Sequence, residues 1–316
     1  MSTANPVPET YELTGDDAWD ILSRTGRGRL LADAFRRLRW SDGFSHARSL
    51  AFATTLVIMQ GLIAIVGLAA ALGEGQISQL IVRSLQAAVP GPAGKILTQA
   101  VNQAHEASSS HQYTALIVGL VGSLVTGATA MGQLERALNR IYGLEQDRPT
   151  LQKYGRAFLL TLTAGVLAAA AFASLGFGRA IASALGSDLA ITLWNVLRWP
   201  IALLLTAAAV ALLFRWSPRR HQPAWSWLAF GAVVAVVLWA LSTLALALFF
   251  QMSSTFGETY GPLAGIVALM IWALLSSISV LYGGSVAAQL EAVRAGEPAV
   301  QDPLRTAPSG SFAAAR

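Results

Sequence analysis

The chain has 316 residues, of which 54% are hydrophobic and only 12% charged, where a soluble domain carries about 25% charged residues. With a mean hydropathy of +0.52, that composition excludes an ordinary soluble domain. The absence of cysteine excludes disulfides, thiolate metal sites and cysteine nucleophiles, and 22 basic against 17 acidic residues leave a net charge of +5.

In chain order, residues 1–15 read as a disordered cytoplasmic tail, polar and acidic, without the basic start and apolar core of a cleavable signal. Residues 16–46 read as an amphipathic helical segment, broken near Gly26 and Gly28. Ile21, Leu22, Leu30, Leu31, Ala34, Phe35 and Leu38 interleave there with Arg24, Arg27, Arg29, Arg36, Arg37 and Arg39. Such a segment suits the interface of an anionic leaflet, or a solvated helix packed on cytoplasmic loops.

Apolar runs of 18 or more residues can cross a hydrocarbon core of roughly 30 Å as helices, and lipid demands that their backbone bonds be internal. A six-helix transmembrane domain is therefore predicted over 47–291, with spans at about 47–72, 113–134, 157–178, 189–214, 224–250 and 262–287. Between the first two spans, Ile77, Leu80, Ile81 and Leu85, then Ile96, Leu97, Ala100, Val101 and Ala104, recur at helical spacing around Val89-Pro90-Gly91-Pro92. They predict two short amphipathic helices in the first outer loop. The second span is expected to continue as helix to Tyr142, with Gly143 as its C-terminal cap. A polar elbow, Gly132 to Arg156, follows with five basic residues (Arg136, Arg140, Arg148, Lys153, Arg156). Residues 292–316, rich in Pro, Ala and Ser, read as a second disordered cytoplasmic tail.

With both termini inside, eighteen of the 22 basic residues fall on inner segments, and only Arg83, Lys95, Arg179 and Arg198 fall outside. That bias predicts an N-in/C-in topology. Trp40, Trp194, Trp199, Trp216, Trp225 and Trp227 sit at span ends, as an aromatic belt requires. The fold class is all-α polytopic membrane protein.

On the second span Gly119, Ser123 and Gly127 are four apart, with Gly122, Thr126 and Ala130 in a row beside them. Small residues in rows let helices approach closely in lipid, or wall a cavity. No ionisable residue falls in the middle of a span, which counts against a proton- or ion-coupled pump. Gln60 stands near mid-span, either as a packing hydrogen bond or in a polar cavity. His46, His105, His111 and His221 lie on different loops without metal-ligand spacing, and neither a phosphate loop, a nucleophile elbow nor a zinc-protease helix occurs. The expectation is no enzyme, no cofactor, no metal and no nucleic-acid partner. Arg136, Asn139, Arg140, Arg148, Arg215, Arg219 and Arg220 form a basic inner rim, which is either topogenic charge or a site for anionic lipid head groups.

Ala137-Leu138-Asn139-Arg140-Ile141-Tyr142-Gly143, followed by Arg148-Pro149, resembles the signature of the YihY/BrkB family of bacterial inner-membrane proteins, formerly labelled ribonuclease BN. Ser49-Leu50-Ala51-Phe52 is similar to the start of that family's first span, and Phe214-Arg215-Trp216-Ser217-Pro218-Arg219-Arg220 to its inner loop. Tyr260-Gly261-Pro262-Leu263-Ala264, with Trp272, resembles its last span. The resemblance covers about residues 30–294. Gln60 replaces the family's mid-span proline. Gly283-Gly284-Ser285-Val286-Ala287 replaces a Gly-Ala-Glu-x-Asn stretch, without its acid and amide. The resemblance implies six spans in the bacterial inner membrane, and no metal-binding cluster is present to cut RNA. Together these features point to a transporter- or flippase-like protein for an amphipathic substrate or small solute. The alternative is a non-transporting scaffold or envelope-maintenance factor, with a membrane enzyme third. The bilayer is the expected partner, and a homo-oligomer is compatible with this reading.

Overall fold

A computed structural model of the full chain describes residues 4–10, 13–71, 112–176, 188–253, 263–297 and 300. The described residues contain eight helices and no strand: α1 (Gly15–Thr25), α2 (Arg27–Trp40), α3 (Gly43–Ala71), α4 (Gln112–Ile141), α5 (Thr150–Gly176), α6 (Asp188–Trp216), α7 (Trp225–Met252) and α8 (Ala264–Arg294). The predicted outer-loop helices between residues 72 and 111, and residues 301–316 of the C-terminal tail, lie outside the described residues.

Local chemistry sets the helix ends. At the start of α1 the Asp17 carboxylate accepts from the Thr14 N–H and hydroxyl, each at 2.9 Å. Those two bonds hold the Asp17 carboxyl below the ordinary carboxylate range. Gly26, at φ +84°, separates α1 from α2. Gly143, at φ +79°, ends α4 as predicted. Its N–H donates to Arg140 O at 3.1 Å while Leu144 N–H donates to Asn139 O at 2.8 Å, the paired bonds of a Schellman cap.

Six of the helices, α3 to α8, are long and apolar enough to span a membrane. They pack in a ring that follows chain order: α3 on α4, then α5, α6, α7 and α8, with α8 returning to α3. Close backbone approach occurs at glycine pairs. A Cβ on Gly231 of α7 would lie 2.6 Å from the Gly283 carbonyl of α8, and one on Gly283 would lie 2.6 Å from Ala235 Cβ. At one end of the ring the centre is filled. There Leu138 of α4 and Phe214 of α6, both buried, meet Gly284 of α8.

This basic end collects the non-helical part of the elbow, residues 142–149, the loop at 217–224, α1, α2 and the N-terminal residues. The predicted sixth span closes at 287, whereas α8 continues to Arg294, and every residue from Gly283 to Ala292 is buried. A helix end hidden on all faces is enclosed by protein rather than lipid, so those turns form the axis of a cap. A disordered tail is expected over residues 1–15, yet residues 4–10 and 13–14 form an extended strap on this cap. Ala4, Val7 and Leu13 are buried. Val7 N–H donates to Tyr142 O at 3.1 Å, and Ala224 N–H donates to Leu13 O at 3.3 Å. Acidic side chains along this stretch conceal from composition that its apolar residues and carbonyls have receptors elsewhere in the fold.

Candidate functional site

The densest polar arrangement among the described residues lies in that cap. It consists of two linked networks. The first holds the elbow to the 217–224 loop. Asp147 accepts from Asn139 Nδ2 at 3.1 Å, Arg136 Nε at 3.2 Å and Lys153 Nζ at 3.0 Å. Asn139, at 0% exposure, accepts in turn from the Arg219 backbone N–H at 2.8 Å, and the Arg219 guanidinium donates to the Asp147 carbonyl at 2.8 Å. Arg148 donates to Ser217 O at 2.7 Å and Pro218 O at 2.6 Å, and lies 3.1 Å from the Glu135 carboxylate. Partial burial raises the Asp147 pKa, but the bonds from Asn139 and Lys153 and the nearby cations outweigh it, holding the carboxyl below its ordinary value of 3.8.

The second network is deeper and joins the strap to α2, α4 and α8. Arg220 is buried, its side chain 1% exposed, and donates to a fully buried Glu291 Oε1 at 2.6 Å. It also donates to the strap carbonyls of Val7 at 3.1 Å and Pro8 at 3.2 Å, and its guanidinium lies 4.6 Å above the Tyr142 ring. Thr10 donates to the same Glu291 oxygen through its hydroxyl at 2.6 Å and its N–H at 3.3 Å. Arg37, itself 1% exposed, donates to Gln289 Oε1 at 2.9 Å, Asn5 O at 3.0 Å and Ile141 O at 3.2 Å. Burial pushes the Arg37 pKa down to about 10, partly offset by Tyr142, so the guanidinium stays charged at neutral pH. Burial, with the Glu291 charge, raises the Tyr142 phenol.

The seven rim residues come together here, but in different roles. Asn139, Arg148 and Arg220 are interior cross-links. Arg215 donates to Gln222 O at 2.9 Å and to Pro223 O, and stacks 5.7 Å from the Trp225 ring. Arg140 donates to Leu144 O at 2.8 Å within its own elbow. Arg136, its side chain 46% exposed, and Arg219, whose bond to Asp147 is exposed, are the rim cations that face solvent.

Gln60 is remote from this cap. Its Oε1 accepts from Thr126 Oγ1 at 3.0 Å, and Thr126 lies ten residues, about 15 Å, along α4 from Arg136. A Cβ on Gly122 would fall 2.6 Å from Gln60 Oε1, so the amide occupies a notch that glycine leaves open. The row Gly119, Ser123, Gly127 does not face a single partner. Gly119 lies against the α3 backbone, its absent Cβ 2.8 Å from Ala64 Cα, Gly127 meets Thr161 of α5, and Ser123 returns its hydroxyl to Leu120 O at 2.9 Å. Each four-residue step turns a helix by about 40° relative to 3.6 residues per turn, so eight residues carry the row from one neighbour to the next.

Arg37, Glu135, Tyr142, Asp147, Gln289 and Glu291 do not figure among the sequence candidates. Arg37 could have been found, because it stands on the same face of α2 as Leu30, Ala34 and Leu38, where an amphipathic helix keeps apolar residues. Glu291 carried no such signal, since only the fold shows that α8 is enclosed at that turn. Residues 283–287 lack the expected acid and amide, but the same helix supplies a buried carboxylate and amide at Glu291 and Gln289. Among the described residues no group of three His, Asp or Glu side chains is placed to hold a metal ion.

A family model described as virulence factor BrkB matches residues 34–306. The chain is similar to the putative ribonuclease-like protein YfkH of Bacillus subtilis, 25% identical over 59% of this chain and 69% of that protein. It is similar to a UPF0761 membrane protein of Halorhodospira halophila, 29% identical over 56% of this chain and 39% of the relative. The UPF0761 membrane protein YihY of Salmonella newport is 30% identical over 58% of this chain and 61% of its own length. For these last two relatives the chain spans less than two thirds of their length. No solved structure matches the chain.

Proposed function

This chain belongs to the BrkB family of membrane proteins, and from that premise we propose that it is a transporter- or flippase-like carrier of the inner membrane for an amphipathic, lipid-like substrate. In this reading the basic end faces the cytoplasm, as the positive-inside bias requires. The observation that carries the proposal is the form of closure at that end. A ring of six spans is blocked there by Leu138 and Phe214 against Gly284, beneath a cap tied by buried ionic networks. Buried ion pairs add little net stability compared with apolar packing, but they are lost as a unit when one partner moves. They suit a closure with two states better than a permanent seal. Arg136 and Arg219, exposed at the rim, would receive an anionic head group.

The test is movement of a fluorescent anionic phospholipid between leaflets of proteoliposomes. The native protein is expected to speed that movement over protein-free vesicles, and an Arg136→Ala/Arg219→Ala variant to lose most of the gain. Native rates equal to those of empty vesicles, or of the double variant, would defeat the reading. A scaffold is the second reading, favoured by the firm tethering of elbow and loop into one continuous surface. A photocrosslinker at Arg136, which is exposed, separates the two. Stoichiometric protein adducts favour the scaffold, and lipid adducts the carrier.

A further inference from the structure

The α1–α2 hairpin has a regular register on the ring. Ala224 N–H donates to Leu13 O, Gly15 N–H donates to Ser226 Oγ at 3.0 Å, and the Trp19 ring stands 6.5 Å from that of Phe230. Positions 13, 15 and 19 thus advance in step with 224, 226 and 230, so α1 runs beside α7 away from the basic end. The return is as regular. The Tyr282 hydroxyl donates to Leu31 O at 3.0 Å, and Arg37 Nε donates to Gln289 Oε1 at 2.9 Å, so α2 runs beside α8 back to the cap. Gly26, at φ +84°, is therefore the bend of the hairpin that lies farthest along the spans.

Helix length fixes the depth of that bend. With 28 residues in α7 and 31 in α8, these helices are about 42 and 46 Å long, against roughly 30 Å of hydrocarbon. The surplus of about 12–16 Å falls at the basic end, where Gly283 to Ala292 are enclosed by protein. Extending both registers to Gly26 puts the bend about 6–9 Å past the hydrocarbon edge, the depth at which interfacial helices lie. The side chains suit that depth. Residues 21–32 hold Arg24, Arg27 and Arg29, all exposed, and no acid. Arg24 pairs with Asp20 at 2.9 Å, while Arg27 lies 5.6 Å above the Trp19 ring. Beside them Trp19, Leu31 and Phe35 are 57%, 38% and 48% exposed although apolar. Phe35 meets Phe44, 5.9 Å between ring centroids, which carries this flank onto the first turn of α3.

We propose that the α1–α2 bend is a lipid-binding site on the leaflet of the basic end, and that its ligand is an anionic phospholipid. Arg27 and Arg29 hold the phosphate, their stems lying along the apolar flank and their charged ends reaching back to the head groups. Trp19, Leu31 and Phe35 lie among the first methylenes of the acyl chains. A zwitterionic lipid offers the same phosphate with a cation that offsets it, so a lipid of net negative charge is preferred. The site is separate from the rim at Arg136 and Arg219, and holds whether or not the protein is a carrier.

The chain has no cysteine, and a Cβ at Gly28 would meet nothing within 4 Å. Gly28→Cys therefore accepts a fluorophore next to the bend, and exposed Glu297→Cys, beyond the end of α8, serves as the reference. Each labelled full-length variant is placed in phosphatidylcholine nanodiscs. Two quenchers are compared, a lipid with a nitroxide on its acyl chain near the head group and a neutral water-soluble nitroxide. The acyl nitroxide is expected to quench the Gly28 label at least about threefold more than the reference, as insertion at the head-group boundary requires. The same nitroxide carried on phosphatidylglycerol is expected to quench at roughly fivefold lower content than on phosphatidylcholine, the advantage of about one arginine at the surface. Adding Arg27→Gln/Arg29→Gln is expected to level the two lipids while acyl quenching stays above the reference. High salt should likewise level them for the parent, which provides the check should that variant not fold. Four results would overturn the proposal. The Gly28 label could match the reference, which places the bend in water. It could be shielded from both quenchers, which marks a protein segment covering it. The two lipids could quench alike in the parent at low salt, or the arginine variant could discriminate between them as the parent does.

Discussion

Arg220 and Glu291 form a pair with almost no access to water. Removing one partner leaves the other buried and uncompensated, which typically costs about 3–5 kcal/mol. Glu291→Ala is therefore expected to lower stability by that amount, followed by tryptophan fluorescence during denaturant unfolding in detergent. The joint replacement Arg220→Met/Glu291→Leu removes both charges and should cost clearly less than the single change. An equal or larger loss would mean that the strap contacts of Arg220, and not the pair, dominate. Asp147 behaves differently, being partly exposed. Its carboxyl is held below the ordinary value of 3.8 by Asn139, Lys153 and Arg136. The folded form thus binds a proton less readily than the unfolded form, so its contribution is complete above that ordinary value and is lost as pH falls through the lower folded value. Asp147→Asn is expected to remove that segment of the acid transition while leaving the remainder in place, as seen in thermal midpoints measured across the acid range.

The helices meet through absent side chains. Gly283 faces the Gly231 carbonyl and Ala235 Cβ at distances no Cβ tolerates, and backbone on one side leaves little room to yield. Gly283→Val is expected to force α7 and α8 apart at a cost of about 1–3 kcal/mol. Gly165 of α5 has nothing within 4 Å of a built Cβ, so Gly165→Ala should be neutral or gain about 0.5–1 kcal/mol, the usual advantage of alanine within a helix. Comparable losses from both variants would show that helix propensity, not interhelical contact, governs these positions. Gly143 combines two demands: its φ is +79°, and a Cβ there would meet Pro6 Cα at 2.5 Å. The same residue therefore ends α4 and makes room for the strap.

Across the whole molecule, the ring of α3 to α8 is organised from its basic end, where elbow, loop, strap and α8 interlock. The described N-terminal residues and the end of α8 lie at that same end, as an even number of spans requires. If that end is cytoplasmic, Ser23→Cys is expected to react with an impermeant maleimide in inverted vesicles and not in intact spheroplasts. Ser253→Cys, beyond the far end of α7, should give the opposite pattern. The reverse result would invert the proposed orientation.

The number of spans, the ends of α4 and the side of the membrane favoured by charge were legible in the chain, because hydrophobic length, glycine caps and loop arginines act over a few residues. The six long helices and the Schellman cap at Gly143 answer to those local rules. Arg136, Asn139, Arg140, Arg148, Arg215, Arg219 and Arg220 could be recognised as a basic cluster for the same reason. Their separate roles could not. Whether an arginine faces head groups or a buried carbonyl depends on segments far away in sequence, and Arg220 is settled by residues 7, 8 and 291 together. Composition likewise marked residues 1–15 as polar, but residues 4–10 and 13–14 are seated by partners on α2, α8, the elbow and the 217–224 loop, which come together only once the ring has closed. The sequence by itself determined a six-span helical membrane protein. Only the tertiary structure decided that its basic end is a closed cap, because burial and ion pairing are properties of the assembled ring and not of any one of its helices.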